Sequence, residues 1–286
     1  MQVKILADSA CDLPKNYYHE NNVTLLPMIV HINDEEYEDV KGIDPKTVYD
    51  AIRSGIVPKT AQVSPQLFEE VFTKMAENKE EGIYIAFSSE LSGTYSTAVM
   101  ILDQVKEKYP NFQLTIVNTK CASLGIGLTV MEAAKKATTN SSKEEILKDI
   151  YFRSEHMEHI FTVEDLDYLA KGGRVSKASA FVGGLLNIKP VLNMEDGKLV
   201  PIEKIRGKKK VLRRLIEIMN ERGTNIQDQV IGISHADNEE TAIEVKAMME
   251  EEFHPKEVLI SSIGSVIGAH TGPGTISIFF LNQLPS

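Results

Sequence analysis

At 286 residues, 42% hydrophobic and 25% charged, the chain is long enough for one large or two medium domains, and no low-complexity tract or like-charge block marks a disordered tail. Its formal net charge of -10 repels nucleic acid and anionic lipid headgroups, so an anionic ligand must be held by donors gathered at close range. Only Cys11 and Cys121 are present, no apolar run approaches the roughly 20 residues of a membrane span, and Met1-Gln2-Val3-Lys4-Ile5 does not open a signal peptide; a cytoplasmic protein without a disulfide framework is expected.

In chain order, the first half alternates short apolar runs with helical periodicity. Residues 3–7 read as a strand ending in Asp8-Ser9, residues 23–32 as extended, and residues 45–54 as a helix with Asp44 as cap and Pro45 in its first turn. Thr60-Ala61-Gln62 falls in the loop before the next helix. Residues 83–87 form an uninterrupted apolar strand that runs into Ser88-Ser89-Glu90-Leu91-Ser92-Gly93 and a helix to about residue 108. A strand at 114–117 and a small-residue helix containing Gly125 and Gly127 follow. This rhythm predicts a mostly parallel sheet flanked by helices.

The second half is less regular. A charged helix over 143–159, with His156-Met157-Glu158-His159 as exposed polar residues, precedes a strand at 160–163 and a helix from 166 that Lys171-Gly172-Gly173-Arg174 interrupts. Residues 178–186 read as a small, apolar helix. Strands at 190–194 and 199–205 surround Glu195-Asp196-Gly197-Lys198, where Asp-Gly signals a tight hairpin. Helix, strand, helix, strand then occupy 211–221, 230–234, 239–252 and 258–261, and a last strand lies at 275–280. A hairpin among α/β units implies a mixed sheet. The expectation is an α/β protein of two domains: an N-terminal mostly parallel sheet flanked by helices (1–155) and a C-terminal α/β domain with a mixed sheet (156–286).

Ligands of open α/β sheets sit beyond the carboxyl ends of the strands, which draws attention to Asp8-Ser9 and to residues 88–94. Hydroxyls and free N–H groups converge there at a helix start, an arrangement suited to an anion, although spacing alone favours Ser92 as a simple cap. Ile267-Gly268-Ala269-His270-Thr271-Gly272-Pro273-Gly274 is too glycine-rich for a helix and reads as a loop, in which His270 either donates to an anion or anchors a turn. Arg174, and Arg206 with Lys208, Lys209, Lys210, Arg213 and Arg214 beyond it, form the concentrated positive charge of an acidic chain. The three lysines suit a solvated helix face; the two arginines, each beside a glycine, suit a phosphate or an acidic partner. Dinucleotide and phosphate-loop fingerprints are missing, and no metal-binding spacing is found. Ser92, His270 and Asp8 supply the residue types of a hydrolytic triad, but without the G-x-S-x-G elbow.

Asp8-Ser9-Ala10-Cys11-Asp12-Leu13-Pro14, Thr60-Ala61-Gln62, Ser88-Ser89-Glu90-Leu91-Ser92-Gly93-Thr94-Tyr95, Lys171-Gly172-Gly173-Arg174 and the 267–274 segment together resemble the DegV family, in order and over the whole chain. The resemblance implies a lipid-binding protein, not an enzyme, that holds a long-chain fatty acid and needs no cofactor. It further implies presentation of that lipid to a separate ATP-dependent fatty acid kinase, with at most transient membrane contact. By motif, Thr60 and Ser92 would bond the carboxylate, with the Gly93 backbone and His270 beside it. Arg174 and Arg206 would lie near the mouth, where a kinase docks. The family's Thr-Ser-Gln-Pro-Ser is here Thr60-Ala61-Gln62-Val63-Ser64, and its Asp-Ser-Thr is Asp8-Ser9-Ala10, which puts the shape of the first of these loops in question. The alternative from the residues alone is a serine hydrolase acting on acyl esters through Ser92 and His270.

Overall fold

The computed structural model describes residues 2–175 and 187–285, so the helix expected at 178–186 lies outside the described residues. Strand β1 (Lys4–Asp8) is buried along most of its length, the pattern of a strand covered on both faces. It leads through a single tight turn into α1 (Lys15–Glu20) and β2 (Val23–Leu26). The stretch expected as one extended segment then divides. Pro27 lacks an N–H, and the chain leaves the first sheet there to form β3 (Ile29–Ile32) and β4 (Glu35–Glu38) in another. Next come α2 (Pro45–Arg53), capped by the Asp44 side chain, and β5 (Lys59–Ala61), a strand where a loop was expected. Its three residues are too few to show a period; pairing with β3, Thr60 opposite Val30, defines it.

Helix α3 (Pro65–Glu77), capped by Ser64, precedes β6 (Gly82–Ala86), α4 (Thr94–Lys108), β7 (Leu114–Asn118), α5 (Leu124–Thr138) and α6 (Lys143–His156), whose capping box joins Ser142 and Glu145. Strands β2-β1-β6-β7 form a four-stranded, wholly parallel sheet, and β4-β3-β5 a small antiparallel one.

The charged helix stops earlier than its polarity suggests. Strand β8 (Met157–Thr162) already includes Met157 and places His159 in the interior, 5% exposed, instead of on a solvated helix face. The cause is pairing: His159 lies opposite Phe279 across an antiparallel ladder. After α7 (Leu166–Lys171) and the undescribed segment come β9 (Ile188–Glu195), β10 (Lys198–Arg206), α8 (Lys208–Arg222), β11 (Val230–His235), α9 (Glu239–Phe253), β12 (Glu257–Ser262), α10 (Ser265–Thr271) and β13 (Ile276–Leu281). The order β10-β9-β8-β13-β11-β12 makes a mixed six-stranded sheet with one parallel pair, β11 and β12. Asp196 and Gly197, with φ of 47° and 83°, turn the expected hairpin.

Helix α10 corrects the expectation of a glycine-rich loop at 267–274: residues through Thr271 are helical, and the chain turns out at Gly272, at φ 73°. Gly268 serves packing. A Cβ there would lie 2.6 Å from the Tyr49 hydroxyl, so α10 approaches α2 at a distance only glycine permits.

Helix α5 lies between the two large sheets, touching β1 and β6 on one side and β8, β11 and β13 on the other. Its run from Leu124 to Val130 is buried without interruption, as expected of a helix enclosed all round. Gly125 and Gly127 make the sandwich thin enough: added Cβ atoms would meet His159 Nε2 at 2.2 Å and the Cys11 carbonyl at 2.6 Å. One apolar core therefore runs from β1 through α5 to Phe161 and Phe279, and a second lies between the outer face of the six-stranded sheet and α8 and α9.

Candidate functional site

A cavity with about 950 Å³ free of protein atoms, part of it open to solvent, lies between the two large sheets. The six-stranded sheet supplies a wall from alternate residues that share a face: His159 and Phe161 of β8, and their ladder partners Phe279 and Ser277 of β13. Met28, Phe87, Leu91 and Leu169 line it from elsewhere in the chain. The lining is thus chiefly apolar.

Besides the scattered Ser123, His159, Thr271 and Ser277, its polar side chains form one cluster. Thr60 Oγ1 and His270 Nε2 lie 2.7 Å apart, joining β5 to the last turn of α10. Ser92 and Gly93 reach the same cavity from the start of α4, and Arg174 from the turn after α7. The Ser92 hydroxyl accepts from the Thr94 N–H at 3.2 Å and lies 2.9 Å from the Thr94 hydroxyl. It therefore satisfies the helix start and lines the cavity together. Gly93 is exposed, and Thr60, Ser92, Arg174 and His270 are half-buried, so this is the end of the cavity that meets solvent. Arg174 donates from Nη1 to the Gly172 carbonyl at 2.6 Å. Burial, with the positive charge of Arg174 added, pushes the His270 pKa down to about 4, so its imidazole is neutral at physiological pH.

Local sequence explains how these groups are held. The His270 ring packs on Gly172, where a Cβ would lie 2.9 Å from Nδ1, and Gln62 covers Gly93, where a Cβ would lie 2.5 Å from Oε1. Ser88, buried after β6, donates to the Gly197 carbonyl at 2.8 Å, and the ion pairs Lys120 to Asp196 and Lys198 to Glu90 flank it. The β9–β10 turn is thereby pinned to the segment that carries Ser92. Among the described residues no group of three or more His, Cys, Asp or Glu side chains could hold a metal ion. No helix among them is long and apolar enough to cross a membrane.

The family model for uncharacterised proteins of the DegV family matches residues 2–283. The chain belongs to the DegV family. A DegV domain-containing protein of Clostridium perfringens is 39% identical over 282 residues, covering 98% of this chain and 97% of its own. A fatty acid-binding protein of Thermotoga maritima is 35% identical over 285 residues, 96% of either chain. The solved structure of a DegV family protein from Thermus thermophilus, described for its fatty acid binding, superposes with a TM-score of 0.89 at 28% identity, over 98% of this chain and 99% of that one.

Within this DegV chain, Thr60, Ser92, Gly93, His270 and Arg174 meet at one cavity, whereas Arg206 is exposed at the end of β10 and is not part of the lining. Arg174, expected near the mouth where a kinase docks, lines the cavity. The hydrolytic alternative finds no support. His270 pairs with Thr60, Ser92 with Thr94, and Asp8 is buried elsewhere, accepting from the Tyr84 hydroxyl and the Phe87 N–H, each at 2.8 Å. Three separate bonding sets do not make a proton relay. Phe161, Met194, Ser277 and Phe279 line the cavity and were not singled out from sequence; Gln62 was named only as part of its motif, and His159, read there as an exposed polar residue, is cavity wall. Alternation in β8 and β13 was the available signal, but a period of two does not say which face looks into a cavity.

Proposed function

We propose that this protein binds a long-chain fatty acid, with its tail in the apolar cavity and its carboxylate among Thr60, Ser92, the Gly93 N–H, His270 and Arg174. It acts as a lipid-binding protein rather than as an enzyme alone. The observation that carries this reading is the cavity's asymmetry: apolar walls between two sheets and one cluster of donors at the exposed end. A fatty acid has that division. Each buried methylene contributes about 0.8 kcal/mol, so a tail is held by area, while an ionised carboxylate left without partners would cost several kcal/mol. The names of the Thermotoga maritima and Thermus thermophilus relatives support the same ligand class.

The neutral His270 and the two hydroxyls can bond a carboxylate without neutralising it, and Arg174 supplies a nearby positive charge. A carboxylate held in this way stays nucleophilic, which suits its transfer to a separate ATP-dependent kinase that forms an acyl phosphate. Arg206, exposed and outside the cavity, suits contact with that partner.

Denaturing extraction of the purified protein followed by mass spectrometry is expected to release a fatty acid. A protein that carries none and takes up no labelled palmitate or oleate would overturn the binding reading. Incubation with ATP alone is expected to give no acyl phosphate, and addition of a cognate kinase to give it; product without the kinase would make this chain an enzyme. Arg206→Ala is expected to reduce the kinase-dependent reaction and leave lipid bound.

A further inference from the structure

The cavity has a neighbour. A surface pocket bounded by Lys120, Glu155, Glu158 and Asp196 lies against it, and His159 and Met194 belong to the lining of both. Two side chains therefore stand between an apolar interior and a polar recess open to water.

His159 is built to be a wall. Its Nδ1 pairs with the Met157 carbonyl at 3.1 Å and its Nε2 accepts from the Ala122 N–H at 3.2 Å, so both ring nitrogens are occupied by backbone. The ring meets Phe279 edge-on, with centroids 5.3 Å apart, and Gly125 leaves it the space a Cβ would fill. Burial pushes its pKa down to about 4, and what faces the cavity is an uncharged aromatic surface. None of these neighbours belongs to the polar end around Thr60, Ser92, Arg174 and His270. Met194 is half-buried on β9, an unbranched and adaptable side chain beside a rigid ring.

We propose that His159 and Met194 form the partition at which the acyl chain stops, and so set the longest tail this protein accepts. The proposal rests on the fatty-acid reading above. A chain that runs from the polar end gains contact with each methylene until it meets the partition; beyond it, further carbons would enter a polar, wet recess and gain nothing. Each accommodated methylene corresponds to about a fourfold gain in affinity.

The test is displacement of a fluorescent fatty acid by straight-chain acids from myristic to behenic, on wild type, Met194→Ala, Met194→Phe and His159→Ala. In wild type, affinity is expected to rise with length and then stop rising. Met194→Ala is expected to move that break upward by about two methylenes, a roughly fifteen-fold gain for the longer acids relative to palmitic. Met194→Phe is expected to move it downward. His159→Ala leaves the Ala122 N–H without its partner and can fail to fold; the two Met194 variants then decide the matter. Identical length profiles in wild type and both Met194 variants overturn the partition while leaving fatty-acid binding intact. Failure of wild type to displace the probe with any acid overturns the binding reading itself, and the partition with it.

Discussion

Thr60 and His270 come from positions 210 residues apart and meet at hydrogen-bond distance, so each can be altered without disturbing a local motif of the other. Thr60→Val keeps the β-branched shape that β5 needs and removes only the hydroxyl. It is expected to weaken fatty-acid affinity about ten- to hundredfold, the usual worth of one hydrogen bond to a charged group, with a small fall in Tm from the lost bond to His270. His270→Ala should weaken it more, because it removes a donor and the ring that packs on Gly172. Isothermal titration with oleate on both variants checks this; equal affinity in Thr60→Val and wild type would take Thr60 out of the carboxylate site. At this scale the sequence was informative where a motif carried a functional group, as at Thr60, Ser92 and His270. It misled where the same residue type had two environments: His159 sits in a polar run but is drawn inside by its ladder partner Phe279.

Helix α10 shows why elements differ in legibility. Its glycines argue against a helix by propensity, yet Gly268 is where α2 and α10 touch, against the buried Tyr49 whose hydroxyl donates to the Ile263 carbonyl at 2.7 Å. Close packing outweighs a propensity deficit of about 1 kcal/mol. Gly268→Ala should raise helix propensity but force Tyr49 away, for a net destabilisation of about 1–3 kcal/mol and a displaced His270 one half-turn on. Urea unfolding and oleate titration together test it, and a variant more stable than wild type would show that propensity decides here. Helix α5 is the opposite case. Its small residues and Gly125 and Gly127 were legible as a helix, but that it is shared by two sheets is a property of neighbours distant along the chain, as the contact of Gly125 with His159 illustrates.

For the molecule as a whole, the buried carboxylate of Asp12 ties both halves together. It accepts from the Gly264 N–H at 2.9 Å and from the Ser123 hydroxyl, while Ser261 donates to its backbone carbonyl at 2.6 Å. Burial pushes its pKa from the usual 3.8 to about 8, so the folded protein retains a proton that the unfolded chain gives up. That stabilisation is complete below about pH 4 and is lost as pH rises through about 8. Asp8, raised to about 6, acts with the same sign over a narrower window, and His159, lowered to about 4, with the opposite sign, losing stability as pH falls. Asp12→Asn keeps the shape without the charge. Its Tm is expected to exceed that of wild type near about pH 9 and to converge with it toward about pH 5; parallel profiles would remove Asp12 as the source. The sequence by itself determined the α/β class, the parallel first sheet, the mixed second sheet with its Asp-Gly turn, and which short motifs bear donors. These follow from periods, caps and turn residues that act within a few positions. Only the tertiary structure decided that α5 serves two sheets, that α10 is a helix, and that five polar groups share the exposed end of one cavity while His159 and Met194 line both it and its neighbour. Those are outcomes of packing between distant segments, and periodicity along the chain carries no record of which faces meet.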